Sequence, residues 1–128
     1  MCLVTEFPEE VSQRDITCYK VLEKHDTEYT SPFMGKTYEV PSEIEDDGEE
    51  FVKSREKKLV IKGGFIHSFT NLYAALGLRD KLQLTIGNIV SSDFVIVKCI
   101  IPKGTRFYES SGGHDYCSKK IKLIEVCV

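Results

Sequence analysis

The chain has 128 residues, enough for one domain, and its 41% hydrophobic and 29% charged residues argue against a disordered or fibrous protein. A formal net charge of −3 lacks the basic excess with which proteins neutralise phosphates, so no nucleic-acid partner is expected. The apolar runs are far shorter than the roughly 20 residues that cross a bilayer, and no basic-then-apolar leader opens the chain, which predicts a cytoplasmic protein without a membrane partner.

Five cysteines are present and no two of them form a Cys-x-x-Cys pair. An odd number without that spacing disfavours both structural zinc and a secreted disulfide framework. The sequence therefore predicts reduced, mostly buried thiols, with Cys117 the most reactive because polar loop residues surround it. No metal and no cofactor are expected.

The first third of the chain predicts an irregular arm over residues 1–14 and a first strand over 15–23, which is rich in β-formers. Residues 29–33 are expected to be extended, and a short strand ends at Pro41. Six carboxylates within residues 43–50 repel one another, which indicates a solvated acidic loop. Their spacing does not match the ligand order of a calcium loop.

The middle of the chain predicts a strand over 57–62, followed at Gly63 and Gly64 by a bulge or close backbone approach. Thr70 is a candidate N-cap for a helix of two turns that Gly77 would end. The alternating residues 81–86 then favour another strand, followed by a turn at Gly87 and Asn88.

Residues 94–101 are apolar on both alternating faces except at Lys98, which is typical of a strand covered on two sides. We expect this to be the central strand, ended by a tight turn at Pro102 and Gly104.

Beyond that turn the sequence predicts a strand over 106–109, a loop over 110–113 and a closing strand over 119–128. The inward parity of the last strand changes at Leu123 and Ile124, so a bulge is expected there.

Many short strands and one helix indicate an α+β fold, with a mixed or antiparallel curled sheet and one short helix, in a single domain spanning 1–128. The absence of alternating βαβ units argues against a doubly wound nucleotide-binding fold.

Four short motifs resemble a group of uncharacterised bacteriophage and gut Bacteroidetes proteins. They are Tyr19-Lys20, the segment 31–39, the segment 64–69 and Ile101-Pro102-Lys103-Gly104-Thr105. The resemblance implies a phage-type origin and a small sheet-rich domain, and it implies no chemistry.

A fainter resemblance is to ADP-ribosyltransferases, in which a strand ending in Pro-Lys-Gly-Thr precedes a loop and the strand with the catalytic glutamate. Lys20 stands where these enzymes have an arginine, and Lys120-Ile121-Lys122 stands where they have Glu-x-Glu. The resemblance therefore implies a related fold without the activity.

His67 is the foremost candidate site residue, because it follows two glycines and precedes a predicted helix start. One interpretation is a general base or ligand contact. The other is a core histidine that hydrogen-bonds to the backbone, as most buried polar groups do. No carboxylate or serine partner for it is evident in the sequence.

A second candidate cluster of Lys103, Arg106, Tyr108 and His114 surrounds the turn and loop after the central strand. Arginine with tyrosine suits phosphate or base contacts, whereas the alternative is surface charge with rings covering a sheet edge. A metal shared by His67, His114 and Asp115 has no support in their spacing. Any pocket is expected to take its aromatic wall from the residues Tyr19, Phe33, Tyr38 and Phe65.

Two functions remain open. The first is a small non-enzymatic binding or accessory protein whose partner is a protein or a small nucleotide-like ligand. The second is a nucleotide-binding or degenerate ADP-ribosyltransferase-like enzyme. No signal in the sequence decides the oligomeric state.

Overall fold

The computed structural model describes residues 3–32, 36–87 and 93–128. These residues form short strands, one α-helix and a π-helical turn. The strands are β1 Leu3–Thr5, β2 Glu10–Val11, β3 Ile16–His25, β4 Glu28–Thr30, β5 Thr37–Tyr38, β6 Ser42–Glu45, β7 Phe51–Arg55, β8 Lys58–Gly63, β9 Ile66–Phe69, β10 Asp93–Ile101, β11 Arg106–Glu109, β12 Asp115–Ser118 and β13 Lys120–Val126. The helix α1 spans Leu72–Leu82 and continues into the π-helical turn Gln83–Gly87.

The described strands form two sheets. The larger has the order β2-β11-β12-β9-β3-β10-β13-β6, with β4 also pairing β3 and β5 pairing β4, and the smaller has the order β1-β8-β7. Every described ladder is antiparallel. The expected α+β class is confirmed as a sheet-dominated fold with one short helix, and the sheet is antiparallel rather than mixed.

Strand β10 is the central strand, as its sequence predicts. It pairs with β3 along its whole length, from Asp93 opposite Lys24 to Ile101 opposite Ile16, and with β13 on the other side. One face packs with α1 through Phe94 and Ile96, and the other face contributes Val97, Cys99 and Ile101 to a second core cluster. Burial of both faces explains why β10 reads as a nearly continuous apolar run.

The turn after β10 and the bulge in the last strand are also confirmed. Gly104 has a φ of +85°, and the Thr105 amide donates to the Pro102 carbonyl at 3.2 Å. In β13 the partners of β10 step from Glu125 to Leu123, which leaves Ile124 as the extra residue. This extra residue reverses the inward parity, as the sequence indicates.

The prediction of an irregular N-terminal arm is wrong. Strand β1 pairs with β8, and strand β2 pairs with β11. Leu3 is buried together with Ile61 in the cluster that joins the small sheet to the large one. Two or three paired residues are too few to produce a detectable period in the sequence.

The helix begins one residue later and ends later than predicted. Asn71 is the N-cap, and its Oδ1 accepts from the Ala74 amide at 2.9 Å. The helix passes Gly77 and reaches Leu82, because Ala75 and Leu82 are buried against β3 and β10. A mid-helix glycine costs only about 1 kcal/mol, so this packing decides where the helix ends.

The predicted strand over 81–86 is therefore wrong. Those residues continue the helix and the π-helical turn, and the side chain of Gln83 accepts the Phe94 amide at the start of β10. Alternation of Leu82, Leu84 and Ile86 suggested a strand, yet Leu84 is exposed. The predicted turn at Gly87 and Asn88 extends beyond the described residues.

The acidic stretch 43–50 is not wholly a loop, because β6 occupies its first residues and pairs with β13. Glu43 and Glu45 lie beside lysines of β13: Lys120 is 3.4 Å from Glu43 and 3.8 Å from Glu45. Ile44 alternates with these carboxylates and packs against the core. Lysines on the neighbouring strand offset the repulsion that predicted a loop.

The prediction of mostly buried thiols is confirmed for the described cysteines. Cys18, Cys99 and Cys117 are buried, and Cys127 is exposed. Cys117, predicted to be the most reactive, has only 3% of its surface exposed and packs in the core. Cys2 lies outside the described residues.

No helix among those described is both long and apolar enough to cross a membrane.

We expect Ile96→Ala to lower the free energy of unfolding by about 2–5 kcal/mol, because Ile96 is fully buried between the sheet and the helix. Urea denaturation measures the change. The control Val4→Ala removes an apolar side chain that is 45% exposed and should cost under about 1 kcal/mol. Equal losses in the two variants would contradict the central position of β10.

Candidate functional site

The large sheet opens along one edge of β3. Because β10 occupies the other edge of β3, both β9 and β4 must lie on this one. Strand β9 pairs with it at a single position, Tyr19 opposite Phe69, and β4 pairs only from Glu23 to His25. Within the described residues, positions 20–22 of β3 have no strand partner on this side. A gap in the sheet results.

A cavity of about 290 Å³ lies at this gap. Its size is near the lower end of the range for small-molecule sites, about 300–1,000 Å³, and it combines apolar walls with a few polar groups in the way such sites do. The residues that line it are Lys20, Val21, Ser31, Pro32, Lys36, Tyr38, Asp46, Gly48, Ile61, Lys62, Gly63, Gly64, Phe65, Ile66, His67, Phe69, Leu78 and Cys117.

Lys20 is the most unusual residue of the cavity. It is 8% exposed, and its Nζ donates to the main-chain carbonyl of His67 at 2.5 Å. This hydrogen bond spans the gap, because Lys20 belongs to β3 and His67 to β9. The lysine side chain therefore links two strands whose backbones have separated.

The Lys20 amine is held in an environment that disfavours its charge. Burial lowers the pKa of Lys20, and the nearby Lys36 lowers it further, although Cys99, Cys18 and Cys117 act in the opposite direction. Among the ion pairs of the described residues, none includes Lys20. The Tyr38 ring centroid lies 6.0 Å from Nζ. Lys20 thus contributes a buried amine for which the described residues provide no carboxylate partner.

His67 lines the cavity, and its ring is hydrogen-bonded to a carboxylate. Its Nε2 is 2.9 Å from Asp115 Oδ2, and the two side chains are 17% and 21% exposed. The His67 ring also meets Phe69 edge-on, with centroids 5.1 Å apart. His67 therefore lines the cavity, and its ring is hydrogen-bonded to a side chain rather than to the backbone. Its role as a general base or ligand contact stays a prediction.

Asp115 was missed as the partner of His67 because the two residues are 48 positions apart in the chain. Strand β12 places Asp115 beside β9, where it lies opposite Phe69. Burial alone would raise the pKa of Asp115, but hydrogen bonds from His67 and Ser110 outweigh it and lower the pKa below its usual value.

Arg106 is committed to surface ion pairs. Its Nη2 lies 2.9 Å from Glu9 Oε2 and 2.8 Å from Glu50 Oε1, and its side chain is 45% exposed. Hydrogen bonding from Arg106 lowers the pKa of Glu50. Lys103 and Arg106 line a second depression, which is larger at about 370 Å³ but more open to solvent. It is separate from the cavity beside Lys20, called the main cavity below because it is the more enclosed of the two.

The other two predicted residues lie elsewhere again. Tyr108 is 7% exposed and meets Phe65 edge-on, with centroids 5.4 Å apart, so it supports the cavity wall from behind. His114 is exposed, and its main-chain carbonyl accepts the Thr70 amide at 2.9 Å. Of the five predicted site residues, only His67 lines the main cavity.

The predicted aromatic wall is confirmed at Tyr38 and Phe65, which line the cavity. Tyr19 packs against the helix cluster instead, and Phe33 lies outside the described residues. Lys20 was missed as a cavity residue. Its position between Cys18 and Leu22 on one face of β3 was the available signal, since both neighbours on that face are apolar.

No group of three or more histidine, cysteine or acidic side chains in the described part of the chain is arranged to hold a metal ion. No protein-family model, curated protein or solved structure matches the chain. The resemblance to phage and gut-bacterial proteins stays a prediction.

Gly64 connects β8 to β9 on the cavity wall, and its φ is +82°. A Cβ there would lie 2.6 Å from Glu50 Cα, whereas Gly104, with a similar φ of +85°, has open space. We expect Gly64→Ala to cost more unfolding free energy than Gly104→Ala by about 1–3 kcal/mol, since only the former adds a backbone clash to the same φ strain. Chemical denaturation compares them, and equal costs would contradict the close approach.

Asp115→Asn should reduce the free energy of unfolding at pH 7 by about 1 kcal/mol, a value discounted because Asp115 is partly exposed. The pKa of Asp115 is lower folded than unfolded, so its contribution is present above the usual value of 3.8 and lost as pH falls through the folded pKa. The difference from the parent protein should therefore close at acidic pH.

Denaturation curves at pH 7, 5 and 3 measure this closing difference. Asp80→Asn is the control, because Asp80 is 60% exposed in its pair with Arg79 and should change stability by less than about 0.5 kcal/mol. A difference for Asp115→Asn that is constant across the three pH values would contradict the assignment.

Proposed function

We propose that this chain is a non-enzymatic binding protein whose main cavity holds one small, nucleotide-like ligand, a flat ring that carries an anionic group. The observation that carries the proposal is that aromatic side chains and lysines line the same cavity, at the gap in the large sheet. Binding sites for small molecules are typically concave and apolar with a few placed polar groups.

Aromatic side chains support the ring-binding part of the proposal. Tyr38, Phe65 and Phe69 all line the cavity. They come from separate elements: Tyr38 from β5, Phe69 from β9, and Phe65 from the connection between β8 and β9. The partners Tyr108 and His67 hold Phe65 and Phe69 edge-on and so fix their orientations. Rings held in this way offer a preformed surface to a planar ligand.

Lysines support the anion-binding part. Lys36 and Lys62 are exposed at the cavity lining, and Lys20 lies deeper, whereas Asp46 is a carboxylate of the same lining. The lining is thus richer in cations than the chain as a whole, whose net charge is −3. A local excess of positive charge in a cleft attracts anions and orients them.

The resemblance to ADP-ribosyltransferases supports nucleotide binding more than catalysis. Lys20, which stands in place of their arginine, lines the main cavity. Lys120 and Lys122, which replace the Glu-x-Glu pattern, line the second depression instead. Without carboxylates at those two positions, an oxocarbenium-like transition state loses its main stabilising charge. We therefore favour binding without group transfer.

A thermal-shift screen with AMP, cyclic nucleotides, nucleotide sugars and NAD tests the proposal. At least one compound should raise Tm by several degrees, because a ligand at 100 times its Kd adds about 2.7 kcal/mol to the stability of the folded state. No shift with any compound, together with recovery of a single protein in a pull-down, would replace the proposal with a protein-docking function.

A matched pair of variants locates the site. Changing Lys36 and Lys62 together to glutamine should weaken binding of the selected compound several-fold and reduce its salt dependence. Lys53→Gln removes an exposed lysine of β7 outside the cavity and should leave the affinity unchanged. Equal effects of the two variants in isothermal titration calorimetry would place the ligand elsewhere. Release of nicotinamide from NAD would contradict the non-enzymatic part.

A further inference from the structure

We infer that Lys20 is a nucleophilic lysine that captures a carbonyl-bearing ligand as a Schiff base, within the cavity proposed above for a ring with an anionic group. The inference rests on that proposed function. It specifies that the ring-shaped, anionic ligand also carries an aldehyde group. An anionic aromatic aldehyde would place its ring among the aromatic walls, its charge at the exposed lysines and its carbonyl at Lys20.

The position of the amine carries the inference. Lys20 lines the cavity and is only 8% exposed, so its side chain lies at the cavity wall and is shielded from bulk water. Its hydrogen bond to the His67 carbonyl fixes the end of an otherwise flexible side chain. A reacting group held in place ahead of the reaction lowers the entropy lost on reaching the transition state.

The surroundings of the amine favour its neutral, nucleophilic form. A buried ammonium is usually paired with a carboxylate, but no described ion pair includes Lys20. Burial and the nearby Lys36 lower its pKa, and the thiols of Cys18, Cys99 and Cys117 oppose this. Lysines desolvated in this way are those that form Schiff bases in proteins.

The step itself balances without an oxidant or a reductant. The lone pair of Nζ attacks the aldehyde carbon, and the electron pair of the carbonyl π bond moves to oxygen. A proton passes from nitrogen to that oxygen, and loss of water from the carbinolamine forms the C=N bond.

The experiment uses pyridoxal 5′-phosphate as the carbonyl probe and pyridoxine 5′-phosphate, in which an alcohol replaces the aldehyde, as its non-covalent match. The full chain is incubated with the aldehyde, reduced with borohydride, digested and mapped by mass spectrometry. Reduction traps imines on amines and does not trap thiohemiacetals, so an adduct on Cys117 would not be counted. The expected result is one dominant reduced adduct at Lys20 that forms at least tenfold faster than those on exposed lysines.

Lys20→Arg is the decisive variant, because arginine keeps a hydrogen-bond donor for the His67 carbonyl and cannot form an imine. It should lose the fast adduct while keeping the thermal shift given by pyridoxine 5′-phosphate. Lys53→Arg is the control and should label as the parent does. A melting curve for each variant shows that it folds, and if Lys20→Arg fails to fold, mapping the parent alone decides the outcome.

The two levels of proposal fail differently. Binding of pyridoxine 5′-phosphate or a nucleotide in the cavity without a fast adduct at Lys20 would overturn the Schiff-base inference and leave the binding function standing. Adducts spread over the exposed lysines, with Lys20→Arg labelled as fast as the parent, would overturn it too. If neither probe nor any nucleotide binds, the proposed function fails first.

Discussion

The hydrogen bond from Lys20 to the His67 carbonyl is the contact on which the site depends. Strand β10 holds β3 along its full length, so β3 can open only on its opposite edge. There β9 pairs with β3 once and then diverges. A lysine side chain spans the divergence, and the cavity occupies the space that a continued ladder would have filled. The same contact thus bridges the two strands and holds the amine at the cavity wall.

The buried Lys20 amine lowers the net stability of the fold, and this unfavourable contribution is located at the candidate site. Burying an amine without a carboxylate partner is unfavourable, and a domain has only about 5–15 kcal/mol of net stability. Apolar burial in the core clusters on both faces of β10 offsets the free-energy cost of burying Lys20. Local departures from the ordinary rules of burial tend to mark function, because packing alone gives no reason to retain them.

Sequence reasoning predicted the elements whose own residues determine them. The two-sided burial of β10, the turn at Gly104 and the bulge at Ile124 are all local patterns. It failed where tertiary contacts decide: the apolar alternation after Lys81 suggested a strand, but packing of Leu82 against the sheet extends the helix. The His67 partner Asp115 lies on another strand, and no sequence spacing indicates which strands become neighbours. The gap beside Lys20 likewise depends on how three strands, β3, β4 and β9, pair with one another, which no local pattern indicates.

The connection between β11 and β12 leads directly into Asp115, the partner of His67. Its second end is tied to the residue before the helix N-cap, since the Thr70 hydroxyl donates to the Gly113 carbonyl and the Thr70 amide to that of His114. Side chains alternate along β12, so the carboxylate of Asp115 meets His67 only in this phase of the strand. The ladder with β9, in which Cys117 lies opposite His67, holds β12 in this phase. A slip of β12 by one residue along β9 would therefore turn Asp115 to the opposite face and separate its carboxylate from the imidazole.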